Sequence, residues 1–232
     1  MELGTFHAKA LRKWMCDGLI INYTHHIPAP MVEAIDRHRL PCIWLNCGRK
    51  TDCVRPDDVK AGRLATQPLL DRGCKRIVFL EVGANDHDSV AARHQGYKSA
   101  IAAAGRNPEI ITLPLPGNVR AGMEPGARAA ILRDWLNRGN RPDGVVTYSA
   151  WTAEPMLYAA AQLGIEVPGD LAVTTIGDEP ALHLGRTVTT VVLDIEKLAS
   201  AAVEMLFCKI DDPSQILPVR KIAPRLVPGD TA

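Results

Sequence analysis

Aromatic residues are scarce in this chain of 232, at 5%, so its core must be built mainly from aliphatic side chains. Net charge is nearly absent as well: 27 lysines and arginines against 26 aspartates and glutamates leave +1. A nucleic-acid binder concentrates basic residues on one face to neutralise phosphates. Here the longest basic clusters, Arg37-His38-Arg39 and Arg49-Lys50, are too short for that and read as solvated surface. No long apolar run is present, and the N-terminus lacks a basic stretch followed by an apolar one. Neither a membrane span nor a secretory leader is expected.

Reactive motifs are also missing. The sequence has no GxSxG elbow, no HExxH, no GxxxxGK[ST] and no GxGxxG after a strand. Catalysis is therefore not expected, and no cofactor is implied. Six cysteines, Cys16, Cys42, Cys47, Cys53, Cys74 and Cys208, are scattered without a CxxC pair or a histidine-rich partner stretch. No metal site and no redox dithiol is indicated. Reduced, largely buried thiols in a reducing compartment, the cytoplasm, are the expectation. His25 and His26 adjoin in a loop with no carboxylate or cysteine at ligand spacing, and read as surface.

What the sequence does contain is 47% apolar and 23% charged residues, the balance of a globular α/β protein. Short apolar runs alternate with segments of 3.6-residue periodicity, the pattern of parallel βαβ units. Strands are expected at 18–22, 42–46, 76–80, 110–113, 144–148 and 172–176. Helices are expected at 30–38, 61–71, 91–104, 126–136, 155–163 and 196–210. In the last of these, Leu198, Ala201, Ala202, Met205 and Leu206 share one face. Gly73, Gly105 and Gly164 each follow a helical run, where a left-handed cap is wanted. Pro68 lies inside a helical pattern, so a kink or a broken first turn is expected there. The architecture that follows is doubly wound, with ligands beyond the carboxyl ends of the strands.

A series of segments carries a resemblance. Asp17-Gly18-Leu19-Ile20-Ile21 and Leu40-Pro41-Cys42-Ile43-Trp44-Leu45 are two strand entries, and Val54, Asp57, Asp58, Gly62, Leu69-Leu70, Gly73, Arg76 and Ile77 form a spaced stretch. Then come Arg93-His94-Gln95-Gly96-Tyr97 and the block Pro142-Asp143-Gly144-Val145-Val146 with Leu163-Gly164-Ile165-Glu166-Val167-Pro168-Gly169-Asp170-Leu171-Ala172-Val173. Val188-Thr189-Thr190-Val191 follows. In order and spacing, over roughly residues 11 to 210, these resemble the effector-sensing core of LacI/GalR-type transcription regulators. Each motif also has a plain structural reading, as a core strand, a helix stop or a strand entry.

The resemblance implies an α/β fold of two doubly wound parallel-sheet lobes of periplasmic-binding-protein-like type, with an effector held between them. The first lobe would comprise 1–73 and 193–217, the second 74–192 and 218–232. It further implies a small-molecule effector, a sugar or sugar acid, and a homodimer. DNA would be met only through an N-terminal helix-turn-helix domain, which with the family's first strands does not precede Met1. The first lobe thus looks truncated, either because the chain starts late or because the lobe is incomplete, and 18–22 would then be an exposed edge strand that invites pairing. A solute-binding protein for transport, with the same fold, is the alternative.

Carried residue by residue, Arg93 matches the family's ligand-binding arginine, whose planar fork can clamp two hydroxyls or a carboxylate; a solvated helix arginine is the plain reading. Ser89 stands a turn earlier. Tyr148 and Ser149 end a strand where sugar-sensing relatives carry an asparagine, and Ser149 has shorter reach. Trp151 either stacks on a ring face or covers the lobe. Gly177 replaces the first carboxylate of the family's pair and leaves Asp178, as in the gluconate-type branch, which favours an anionic effector beside Arg93. Asn22, Tyr23 and Asn46, at strand carboxyl ends, either face the ligand or form turns.

Overall fold

The computed structural model describes residues 16–22, 27–83, 86–115, 125–183 and 185–232. In chain order the first elements are β1 (Leu19–Asn22), α1 (Ala29–His38), β2 (Cys42–Leu45), β3 (Cys53–Pro56), α2 (Asp58–Asp71) and β4 (Ile77–Val82). Next come α3 (Asp88–Ala103), β5 (Glu109–Leu113), α4 (Pro125–Leu136), β6 (Gly144–Thr147), α5 (Ala150–Gln162) and β7 (Ala172–Gly177). The chain continues through β8 (Leu182–His183), β9 (Arg186–Thr187), β10 (Thr189–Val192), α6 (Ile195–Asp211), β11 (Arg220–Ile222) and β12 (Arg225–Val227).

These elements form two compact units, one of Met1–Pro56 with Ile195–Ile222 and one of Asp57–Asp194 with Ala223–Ala232. The division falls elsewhere than the sequence suggested, at 56/57, 194/195 and 222/223. Helix α2 goes with the second unit because Ala61, Ala65 and Leu69 bury against Phe79, Val146 and Ile176, and Thr174 Oγ1 donates to the Ala65 carbonyl at 2.7 Å. Residues 220–222 go with the first unit because they pair parallel with β3.

The first unit holds a parallel sheet ordered β1-β2-β3-β11. Alternation along β2 sends Cys42 and Trp44 to a cluster under α1, with Met31 and Ile35, and Ile43 to a cluster under α6, with Leu198, Ala202 and Met205. Among the described residues β1 is paired on one side only, and Ile20 on it is 39% exposed.

In the second unit the sheet runs β12-β10-β7-β6-β4-β5, parallel except for β12. Strand β4 comes first in the chain and has β5 on one side and β6 on the other. The winding therefore reverses between β4 and β6, and their carboxyl ends open a crevice there. Both faces are covered, by α4 and α5 on one side and by α2 and α3 on the other.

Of the two outcomes expected at Pro68, a kink or a broken turn, the break does not occur: α2 runs on to Asp71, and Arg72 N–H donates to the Pro68 carbonyl at 3.0 Å. Only the Pro68 donor is lost, near the helix end, where few bonds remain to be made.

Candidate functional site

The crevice at the carboxyl ends of β4 and β6 is where Ser89, Arg93 and Tyr148 meet. Helix α3 starts with His87 at its N-cap, the ring Nδ1 accepting the Ser89 N–H at 3.1 Å. That cap fixes the first turn, so Ser89 and Arg93 fall on one buried face. Strand β6 ends at Thr147, and Tyr148 leaves the sheet beside them, its N–H held by the Leu80 carbonyl at 3.1 Å.

A chain of polar contacts results. Ser89 Oγ lies 2.8 Å from Tyr148 Oη and 2.7 Å from His87 Nδ1. Arg93 donates from Nε to Asp58 Oδ1 at 2.8 Å and from Nη1 to the Tyr148 carbonyl at 2.9 Å. Its guanidinium sits 4.5 Å from the centre of the Tyr148 ring, within cation–π range. A solvated helix arginine would be open to water; Arg93 is 7% exposed. Two edges of its fork are used, and Nη2 keeps donors for a further oxygen.

The RxxGY motif divides its labour accordingly. Gly96 lets α3 approach α2 so closely that a Cβ there would collide with the Val59 carbonyl, and a Cβ on Gly62 would collide with the Arg93 carbonyl. Tyr97 is fully buried, and its hydroxyl donates to the Ile77 carbonyl at 2.8 Å and accepts from Glu109 N–H at 3.0 Å. The tight crossing brings Asp58, on the first turn of α2, to Arg93. In the same way Asp143 of the PDG block is structural: its carboxylate takes Lys75 N–H and Arg76 N–H, both at 2.7 Å, at the entry to β4.

Beneath Arg93 lies an acid the sequence did not single out. Glu81, near the end of β4, is 5% exposed, and His94 Nε2 is 2.7 Å from its Oε1, though neither atom is aligned for a hydrogen bond. Burial pushes the Glu81 carboxyl up, against the pull of His94 and Arg93. His94 stands edge-on to Phe79, with ring centres 4.8 Å apart.

The remaining expected residues are spread more widely. Ser149 is the N-cap residue of α5 without a side-chain cap bond. Asp178 is exposed just past β7. Asn22 is exposed at the end of β1 in the first unit, and Tyr23, like His25 and His26, lies outside the described residues. Trp151 is 70% exposed and lines a groove of about 380 Å³ with Arg128, Glu154, Pro155, Tyr158 and His183, apart from the Arg93 cluster. Asp58, His87, Glu81 and His94 are the participants that sequence reasoning missed. Asp58 stood inside a recognised stretch, but Asp57-Asp58 before a helical run reads as a cap, which Asp57 is, accepting Lys60 N–H at 3.1 Å.

Among the described residues there is no group of three or more potential metal ligands and no helix long and apolar enough to cross a membrane. The family profile described as "Periplasmic binding protein-like domain" matches residues 66–232. The chain is 28% identical over 205 residues to the ribose operon repressor of Escherichia coli K12, covering 85% of this chain and 59% of that protein. It thus spans about three fifths of the length of that relative. Among solved structures it is similar to a LacI family transcriptional regulator from Mycobacterium smegmatis, with 27% identity, a TM-score of 0.73 and coverage of 96% and 82% of the two chains. A LacI family regulator from Enterococcus faecium, with bound ribose, shares the fold at 22% identity, with a TM-score of 0.78 and coverage of 97% and 82%.

Proposed function

We propose that this chain, which belongs to the periplasmic binding protein-like domain family, is the effector-sensing core of a LacI/GalR-type transcription regulator, working in the cytoplasm. Its effector is a small sugar or sugar acid, held at the carboxyl edge of the second unit's sheet. The observation that carries the reading is the Arg93 fork. It is buried, fixed on two edges by Asp58 and Tyr148, and has Nη2 left to bind. Such a fork gives directed hydrogen bonds to paired hydroxyls or to a carboxylate. Ser89 and Tyr148 supply hydroxyls on the same wall, with Ser149 beside them and Asp178 past the end of β7. Asn22 and Tyr23 are the candidates from the first unit.

The named relatives are transcription regulators, one of them a ribose operon repressor and another with ribose bound in its structure. An effector that binds one conformational state more tightly shifts the regulator's two-state equilibrium, and DNA affinity with it. Operator DNA is read, in this account, by the part of such regulators beyond the span shared with this chain. With Gly177 in place of a carboxylate, a sugar acid is favoured over a neutral sugar.

A thermal-shift screen against sugars and sugar acids tests this. A compound at a hundredfold excess over its Kd adds about 2.7 kcal/mol. Arg93→Lys, which keeps the charge but loses the fork, should cut the shift from the hit by half or more. An unchanged shift in that variant would overturn the assignment of Arg93.

Self-association is part of the same proposal, and the groove beside Trp151 is the surface that suits it. Trp151, Tyr158 (46% exposed) and Leu182 (65% exposed) offer apolar area. Arg128 Nε and His183 Nε2 are buried without a hydrogen bond, and Glu154 faces the same groove. Donors and an acceptor on one patch are self-complementary across a twofold axis. Trp151→Glu should convert a dimer to a monomer in sedimentation analysis; a variant that sediments as the wild type would remove the groove from the interface.

A further inference from the structure

The cysteines showed no spacing for paired chemistry, yet the fold of the first unit brings two of them together. Cys47 follows β2 and Cys53 opens β3, and their Sγ atoms are 3.8 Å apart, both in the cluster under α1. The five residues between them form a tight loop whose far end is pinned. The Asp52 carbonyl accepts Trp44 N–H at 2.8 Å, Asp52 N–H donates to the Leu217 carbonyl at 2.8 Å, and Asp52 Oδ1 accepts Leu217 N–H at 3.0 Å. Cys53 is held in the sheet beside Trp44.

We propose that Cys47 and Cys53 are an oxidation site, which a small peroxide converts to a disulfide closing the loop between β2 and β3. A disulfide bond is about 2.05 Å long, so the sulfurs must approach by about 1.8 Å. At the other end Cys47, whose carbonyl accepts Arg55 Nη1 at 3.3 Å, is followed by Gly48, whose backbone has the φ range such an adjustment needs. Oxygen transfer from hydrogen peroxide to the Cys47 sulfur gives a sulfenic acid and releases one water. The Cys53 sulfur then attacks the Cys47 sulfur, the S–S bond forms, and the hydroxyl leaves with the Cys53 proton as a second water. Two thiols thereby lose two electrons to one peroxide. Cys53 enters as the thiol, since its hydrogen bond with Cys47 and its burial keep the proton on. Cys42, in the same cluster, is likewise held protonated by burial, its pKa raised to about 12.

Trypsin provides the test, because it cleaves after Arg49 and Lys50 and so separates the two cysteines. The folded chain is treated with hydrogen peroxide, remaining thiols are alkylated, and the digest is read by mass spectrometry. The expected product joins residues 40–49 to 51–60. It should form in Cys42→Ala, vanish in Cys53→Ala and revert with dithiothreitol. Oxidised wild type should melt roughly 5 °C higher than reduced, as expected for a short closed loop. Peptides joined only through Cys42, or oxidation confined to exposed Cys16 and Cys208, would overturn the proposal. Cys42 and Cys47 share the peptide 40–49, and fragmentation of the joined product tells them apart, so both outcomes are readable in the wild type and do not depend on how a variant folds.

Discussion

Each unit buries one cation among the described residues, and the two are used differently. In the first unit Lys209, 8% exposed, donates to the Gln215 carbonyl at 2.6 Å and lies 3.4 Å from Asp52 Oδ1. It ties the end of α6 to the turn after it and to the loop before β3. In the second unit Arg93 meets Asp58 at 2.8 Å and the Tyr148 carbonyl at 2.9 Å, joining α2, α3 and the end of β6. An ammonium is a point charge that its partners enclose, while a guanidinium is a planar fork that holds two partners on fixed edges and presents a third. The lesson is that burial alone does not mark a site; geometry left over after burial does.

The contrast can be broken most sharply at Asp58. Asp58→Ala leaves the Arg93 charge buried without its partner, and the second unit should lose about 3 kcal/mol, measured by urea unfolding. A loss below about 1 kcal/mol would mean that the pair is no better organised than Lys209 and Asp52. Next comes the crossing that sets the pair. Gly96→Ala should cost about 2 kcal/mol, because the added methyl meets the Val59 carbonyl. Gly126→Ala, a helix position with open space around it, should gain about 0.5 kcal/mol. The Gly96 loss should in turn exceed that of Lys209→Met, which keeps the stem and removes a charge whose acid stays partly solvated; about 1 kcal/mol is expected.

The smallest effect is pH-dependent and differs in sign between two carboxyls of the second unit. The Glu109 carboxyl is held below its usual range by the Arg76 guanidinium. Its contribution is present above the unfolded carboxyl pKa and fades as pH falls through the folded value. With Glu109 41% exposed, solvent reduces it to a few tenths of a kcal/mol. Glu81 is raised, so its contribution is full below the unfolded pKa and is lost as pH rises through the folded one. Chemical denaturation at pH 4 and pH 7 should therefore show Glu81→Gln gaining on wild type at pH 7 and Glu109→Gln losing.

Much of the fold was legible. The strands and helices expected from periodicity all form, with ends shifted by a few residues and the start of α5 by five. The strands at 53–56, 189–192, 220–222 and 225–227 were not read, because charged residues, a proline or a threonine pair interrupt the apolar run that marked the others. Of the candidate site, Arg93, Ser89 and Tyr148 converge as motif order suggested. Trp151 does not join them: it stands on the first turn of α5, past the strand end that carries Tyr148, and is 70% exposed. Glu81 could not be found from its neighbours, because a lone acid in an apolar run carries no period.

The sequence by itself determined the alternation of strands and helices, the doubly wound class of the sheets, and which residue types stand at strand ends. Periodicity and turn chemistry are local, so they survive without knowledge of the fold. Only the tertiary structure decided that Asp58 meets Arg93, that His94 faces Glu81 and that Cys47 lies beside Cys53. Those pairings depend on how closely helices cross and how a loop returns to its sheet, and such distances are set by packing between segments that no local pattern records.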